Sequence, residues 1–177
     1  MALKATVYKV QLEVSDIDRG HYQSYGLTLA KHPSETDERV MIRIVAFALN
    51  AHEQLTFAGD LSTAEEPALW QKDLTGAVQC WIEIGQPDAR VIRKAAARSE
   101  TVRIYTYGRG ADVWWSRSRA DLARFDSLDV FLLATADDPA RLIHRNMALT
   151  AMVQDGQVTL SDATGSLAID VRALTSV

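Results

Sequence analysis

The sequence predicts a single α/β domain. Three observations predict it. The N-terminal stretch alternates apolar and polar residues with the period of a strand, residues 34–52 carry apolar positions at helical spacing, and Asp155-Gly156 separates two short runs as the turn of a hairpin. With 177 residues, the chain is long enough to bury about 70% of the surface that its unfolded form exposes. No repeat, low-complexity run or glycine- and serine-rich linker divides it.

Residues 2–14 and 21–31 read as strands joined by a polar turn at 15–20. His32-Pro33-Ser34 stops the second strand and starts a helix, with Ser34 as N-cap and Asp37 in the capping-box position three residues on. That helix runs to about His52, and its buried stripe is Met41, Ile44, Val45, Ala48 and Leu49. Residues 55–58 read as a short strand and 60–65 as a polar loop. Two strand runs follow, 66–72 and 77–85, around a turn. Pro87 stands just before a helix over 88–99. A strand at 101–107, a helix at 111–120, a strand at 128–134 and a short helix at 138–145 come next. The chain closes with the hairpin 147–154 and 157–161 and a short strand at 167–171. From residue 34 to 107 the order is helix, three strands, helix, strand.

Hydrophobic residues at 47% and charged ones at 24% are those of a globular protein. A net charge of −4 argues against a histone-like nucleic-acid binder but leaves room for a local basic patch. No stretch approaches the ~20 consecutive apolar residues that cross a bilayer, and the N-terminus lacks the apolar core of a signal peptide. A cytoplasmic protein with no membrane partner is expected. Cys80 is the sole cysteine, which excludes an intramolecular disulfide and a thiolate metal cluster and reads as packed rather than reactive.

Asp73-Leu74-Thr75-Gly76 suits a β-turn. If Asp73 faces Gly76, antiparallel pairing sets Glu83 opposite Glu66, Trp81 opposite Ala68 and Gln79 opposite Trp70. Opposed residues share a face, with Cβ atoms roughly 5 Å apart. One face is then apolar, with Leu69, Val78, Cys80, Ile82 and Ile84. The other carries Glu66, Glu83, Gln79, Trp70 and Trp81. Two opposed carboxylates repel unless a cation lies between them, and a hard divalent ion takes carboxylate oxygens. The alternative is a wet sheet edge on which both glutamates relax apart. A one-residue bulge would move Glu66 to the other face.

Arg90, Lys94 and Arg98 repeat at i, i+4 and i+8, with Val91, Ile92 and Ala95 on the buried side of the same helix. Residues 90–124 hold nine arginines and lysines against three acids, a balance of +6 that leaves −10 for the rest of a chain at −4. A phosphate-binding surface explains this polarisation, and so does a solvated face with surface ion pairs. Trp114 and Trp115, beside Arg117 and Arg119, could stack bases or partner side chains. Neighbouring positions on a helix point apart, which puts one of the two in the core. Gly108 and Gly110 read as a turn. His21, His32, His52 and His144 show no metal spacing and no nucleophile elbow, which argues against zinc chemistry and Ser–His–Asp hydrolysis.

The strings MALKATVYK, HPSETDERVM (residues 32–41), EPALW (66–70) and WIEIGQPDARVIRKA (81–95) resemble the YaeQ family over essentially the whole length. The order of elements resembles the PD-(D/E)XK nuclease fold. These resemblances imply a mixed sheet flanked by helices, with a nuclease-like core at about 34–107 and extra strands at both ends. They also imply a metal-dependent phosphodiesterase acting on DNA or RNA. Glu66 would stand for the first acid, although Pro67 follows it where the pattern has proline before the acid. Glu83 would stand for the second, and Gly85 occupies the position of the usual lysine. Lys94, from the next helix, would take that lysine's place, and Gln86 would orient a water. Glu66 and Glu83 would hold Mg²⁺ or Mn²⁺, joined by Glu38 in the manner of some superfamily members. Glu38 reads equally as a surface acid favoured by its helix dipole. Arg90, Lys94, Arg98, Trp70 and Trp81 would contact the nucleic acid. Two other readings stay open: a non-catalytic descendant that binds nucleic acid through the basic helix and the tryptophans, and a protein-interaction module using the Trp70/Trp81 face.

Overall fold

The structure, a computed structural model, describes residues 4–58 and 65–175. In chain order these residues form β1 (Thr6–Asp16), β2 (His21–Lys31), α1 (Asp37–Leu49), β3 (Leu55–Phe57), β4 (Leu69–Lys72), β5 (Val78–Ile84) and α2 (Ala89–Arg98). They continue with β6 (Ser99–Tyr107), α3 (Ala111–Leu122), β7 (Leu128–Ala134), a 3-10 turn (Pro139–Leu142), β8 (Asn146–Gln154), β9 (Gln157–Ser161) and β10 (Ser166–Ala173). The fold is mixed α/β, and the order expected for residues 34–107 is the one observed. Most of the expected polar loop, and the expected start of the first strand at residues 2 and 3, lie outside the described residues.

Two compact units divide the chain, and the expected 34–107 core is shared between them. The first unit comprises residues 1–51, 60–62 and 135–170. Its strand order is β2-β1-β8-β9-β10, with β1 and β8 parallel and β2–β1, β8–β9 and β9–β10 antiparallel. Strict alternation makes β1 two-sided: Tyr8, Val10, Leu12 and Val14 are buried while Lys9, Gln11 and Glu13 are exposed. The turn between β8 and β9 is Asp155-Gly156, with φ of 52° and 73°. Both residues are left-handed, as a two-residue hairpin turn demands. The Asp18 carboxylate accepts from both of their backbone N–H groups, at 2.9 and 3.3 Å.

The N-cap of α1 is Thr36 rather than Ser34. The Thr36 hydroxyl accepts from the Arg39 N–H at 3.1 Å, while Ser34 is tied to the His32 ring at 2.6 Å. Asp37 turns to Lys31 at 2.5 Å instead of closing a capping box. Nor is burial confined to one stripe: every residue from Val40 to Ala48 is buried. A helix apolar on nearly all sides is a core helix. Its one charge there, Arg43, is neutralised by Glu35 at 2.9 Å and donates to the Ala30 carbonyl at 2.8 Å. At the other end, the Arg19 guanidinium donates to the carbonyls of Ala51 and Ala48 at 3.3 and 3.4 Å. The same group is anchored by buried Asp16 at 2.6 Å.

The second unit comprises residues 52–59, 63–134 and 171–177. Its order is β7-β6-β5-β4-β3, with β5, β6 and β7 parallel and β4 and β3 antiparallel. Parallel neighbours need crossovers, and α2 and α3 supply them. Right-handed crossovers running the same way across a sheet cover the same face. Ile92 and Ala95 of α2 and Leu122 of α3 accordingly meet Trp81, Val102, Ile104, Leu128 and Val130 in one core. Asp88 caps α2 through the N–H groups of Arg90 and Val91, at 2.9 and 3.1 Å.

Candidate functional site

The β4–β5 hairpin closes as expected at its turn, yet its register differs from the one a plain turn would impose. Gly76 adopts φ 89°, and the Asp73 N–H donates to the Ala77 carbonyl at 2.9 Å. A left-handed glycine after a turn adds one residue to that side as a bulge. A second irregularity follows directly: Lys72 pairs with Val78, but Gln71 pairs with Cys80, so Gln79 is extra. Two one-residue offsets slide the strands by two residues. Trp70 then stands opposite Trp81 and Leu69 opposite Ile82, and just before the paired residues the Ala68 N–H donates to the Ile82 carbonyl at 3.1 Å, so that Glu66 falls short of Glu83. The directly opposed Glu66–Glu83 pair is therefore not formed. An even total offset preserves which residues share a face, and only their alignment along the strand changes. Glu66 itself lies exposed in the bend before β4.

The face expected to be open to solvent is covered. Trp81 is 0% exposed beneath α2 and α3, because the crossover helices that join the parallel strands β5, β6 and β7 cover this face of the sheet. Trp81 is thus a core residue and not a stacking platform for a base. Its indole Nε1 donates to the half-buried Glu83 carboxylate at 2.7 Å. Trp70 is half-buried and meets Trp81 edge-on, with ring centroids 5.9 Å apart, and the Lys72 ammonium lies 3.7 Å from the centre of its ring.

Lys94 and Arg98 of α2 turn toward Glu65, the residue before the expected first acid. Lys94 pairs with the Glu65 carboxylate directly. Arg98 approaches that carboxylate at 3.7 Å and donates to the Glu65 carbonyl at 3.1 Å. The hydrogen-bonded Lys94 ammonium holds the Glu65 carboxyl below the usual carboxylate range. The Arg98 guanidinium also lies 5.4 Å from the Trp81 ring. Glu65, Lys94, Arg98, Trp81 and Glu83 form one connected chain of contacts. Glu65 is the member that sequence reasoning missed. The adjacent Glu65-Glu66 pair was visible, but nothing local says which of two neighbouring acids faces the helix.

Gln86 is exposed, and its side-chain amide packs 2.8–2.9 Å from where a Cβ on Gly110 would stand. Gly85, at the expected lysine position, adopts φ 98° and donates to the Tyr105 carbonyl at 2.9 Å. A side chain rarely takes that conformation, which accounts for glycine there. Glu38 is half-buried in the first turn of α1 and belongs to the first unit. Among the described residues, no three His, Cys, Asp or Glu side chains converge as a metal-holding group. Glu66 and Glu83, the two acids expected to share the ion, are not directly opposed in this register.

The outer side of α2 is basic, and α3 adds two exposed arginines beside the exposed acids Asp112 and Asp121. Arg90 and Arg93 on α2, Arg109 in the loop before α3, and Arg117 and Arg119 on α3 are all exposed. None of these five has a carboxylate partner among the described residues. The Trp114 indole ties α3 to the segment before α2, donating to the Pro87 carbonyl at 3.0 Å. Trp114 and Trp115 are both half-buried against the core, with centroids 6.3 Å apart, rather than one buried and one exposed.

The YaeQ protein family model matches residues 1–171. The uncharacterized protein YaeQ of Salmonella typhi is 40% identical over 176 residues, covering 98% of this chain and 97% of that one. Its counterpart in Escherichia coli (strain K12) is 38% identical over 179 residues, with the same coverage. The crystal structure of YaeQ protein from Xanthomonas axonopodis pv. citri superposes with a TM-score of 0.93 at 40% identity, covering 98% of this chain and 99% of that one. The YaeQ protein from Pseudomonas syringae gives 0.91 at 34% identity, covering 98% and 97%.

Proposed function

This chain belongs to the YaeQ family, and we propose that its second unit binds the phosphate backbone of nucleic acid through the outer sides of α2 and α3. The observation that carries this reading is the set of five exposed arginines, Arg90, Arg93, Arg109, Arg117 and Arg119, none with a carboxylate partner among the described residues. They belong to a chain whose net charge is −4. Concentrating cations in a protein that is acidic elsewhere costs self-repulsion, which a polyanion relieves. Guanidinium forks match phosphate oxygens in pairs and keep their charge at any physiological pH. The resemblance of the element order to the PD-(D/E)XK nuclease fold makes nucleic acid the polyanion of choice, as an argument by analogy. Cleavage is a separate matter. It would require Glu66 and Glu83 to be drawn together on Mg²⁺ or Mn²⁺ from the offset register, and binding requires no such rearrangement.

The test is fluorescence anisotropy with labelled single-stranded DNA, single-stranded RNA and duplex DNA, on the native protein and an Arg90→Ala/Arg93→Ala/Arg117→Ala variant. The native protein is expected to bind with an affinity that falls steeply between about 50 and 200 mM salt. Each lost phosphate contact should flatten the log–log slope by about 0.9 on duplex and about 0.7 on single strands. No binding at low salt, or an unchanged slope in the triple variant, overturns the reading. Divalent-ion-dependent cutting that disappears in Glu83→Ala would replace it with the catalytic one.

A further inference from the structure

We propose that the groove between the end of α3 and the C-terminal segment is a base subsite selective for guanine. The proposal rests on the nucleic-acid reading above and names what that surface would select. The groove encloses about 480 Å³, and Trp115, Arg119, Phe125, Asp126, Asp129 and Leu174 are among its lining residues. That size lies within the roughly 300–1,000 Å³ of pockets that take small ligands. Its C-terminal wall is held in place: the Leu174 N–H donates to the Val130 carbonyl at 2.8 Å, and the Thr175 hydroxyl accepts from the Val130 N–H at 3.2 Å.

Each component has a role that a nucleotide would use. Trp115 is half-buried and packed on the core, so its ring is fixed while part of it remains accessible, and Phe125, half-buried on the same core, carries the Arg124 guanidinium 4.8 Å from its ring centre. A ring held as Trp115 is accepts a base by stacking. Asp126 and Asp129 are exposed and make no hydrogen bond or ion pair through their carboxylates among the described residues. A carboxylate accepts hydrogen bonds and donates none. Guanine presents two adjacent donors, N1–H and the N2 amino group, on its Watson–Crick edge. Adenine and cytosine offer one amino group beside an acceptor nitrogen, and uracil and thymine one N–H between two carbonyls. Both of those patterns set an acceptor against a carboxylate, which selects against them. Arg119 lines the same groove and lies two residues beyond Arg117 on α3. It can hold the phosphate of the bound nucleotide, joining the subsite to the basic surface.

The experiment titrates native protein with GMP, AMP, CMP and UMP, following the tryptophan indole N–H signals by heteronuclear NMR, and then repeats the titration with single-base oligonucleotides. GMP is expected to shift the Trp115 indole signal and to bind at least tenfold more tightly than the other three. Asp126→Asn/Asp129→Asn, at two exposed positions, should stay folded and lose the guanine preference. Trp115→Phe should keep that preference, whereas Trp115→Ala should weaken every base. Equal binding of all four nucleotides, an unmoved Trp115 signal, or a guanine preference that survives the double asparagine variant overturns the subsite. Oligonucleotide binding with an arginine-dependent salt slope but no base preference sinks the subsite alone and leaves the backbone reading standing. GMP binding through Asp126 and Asp129 without any oligonucleotide binding does the reverse.

Discussion

The Trp81 indole N–H donates a 2.7 Å hydrogen bond to the carboxylate of Glu83, two residues further along the same strand. Residues two apart on a strand share a face, and on β5 that face lies beneath α2 and α3. Glu83 is therefore the acceptor that satisfies a buried indole.

Replacing Glu83 by alanine should consequently cost stability. An orphaned buried donor costs about 1–3 kcal/mol, and that range is the expected loss. Glu83→Gln retains a carbonyl acceptor and should lose less. Urea denaturation midpoints check both, and identical midpoints for the native and alanine proteins would falsify the structural role of this bond.

On the proposed backbone-binding surface, Glu65 would compete with phosphate for Lys94 and Arg98. Glu65→Gln should therefore strengthen oligonucleotide binding and steepen its salt dependence, by up to about 1.8 in the log–log slope on duplex if both cations then reach phosphates. Acidification should act in the same direction. The folded Glu65 carboxyl is held below its unfolded value, first by the Lys94 hydrogen bond and then by that cation's charge. The pair's contribution is complete above the unfolded value and is lost as pH falls through the folded one. Binding isotherms at descending pH, on native and Glu65→Gln proteins, should converge at the acid end. Isotherms that stay apart would detach Glu65 from the cations.

Arg19 closes the C-terminal end of α1 and neutralises Asp16, which is only 1% exposed. Arg19→Met keeps much of the apolar stem but leaves two carbonyls and a buried carboxylate without this donor. A loss of about 1–3 kcal/mol is expected, below the full value for a buried pair because the Arg19 side chain is itself partly exposed. Thermal unfolding measures it. An unchanged melting temperature would mean that water replaces the guanidinium without cost.

Gly76 sets the first of the two register offsets in the β4–β5 hairpin. A Cβ there would meet no atom within 4 Å, so Gly76→Ala is strained by its backbone alone. A left-handed alanine costs about 1–2 kcal/mol. Gly76→Asn should cost less, since a short amide tolerates that conformation. Hydrogen-exchange protection across Asp73–Ala77 reports the change, and equal protection in the alanine, asparagine and native proteins would count against the bulge.

Much of the fold was legible in the residues. β2, β7 and β9 span the expected residues, and α2 begins one residue after the expected start, with Asp88 as its cap, because alternation, Pro87 and Asp88 act within a few positions of themselves. The cap of α1 was misplaced by two residues, since Ser34, Thr36 and Asp37 are all competent and only the local chain path chooses among them. Of the candidate site, the basic stripe was legible as a charge imbalance. The acidic pair was not, because its geometry hangs on a register.

By itself, then, the sequence determined the kind and order of the elements, the Asp73–Gly76 and Asp155-Gly156 turns, and the polarised charge of residues 90–124. These follow from side-chain period, backbone preference and composition, all of which are local. Tertiary structure alone decided three things. Bulges at Gly76 and Gln79 set Trp81 level with Trp70 instead of Ala68. The fold of α2 and α3 over β5 turned Trp81 from a surface residue into a core one. Lys94 and Arg98 took Glu65 in preference to the glutamate beside it. Each depends on the summed offset of two strands or on the packing of segments distant in the chain, and a pattern that repeats every two or every 3.6 residues carries no information about either.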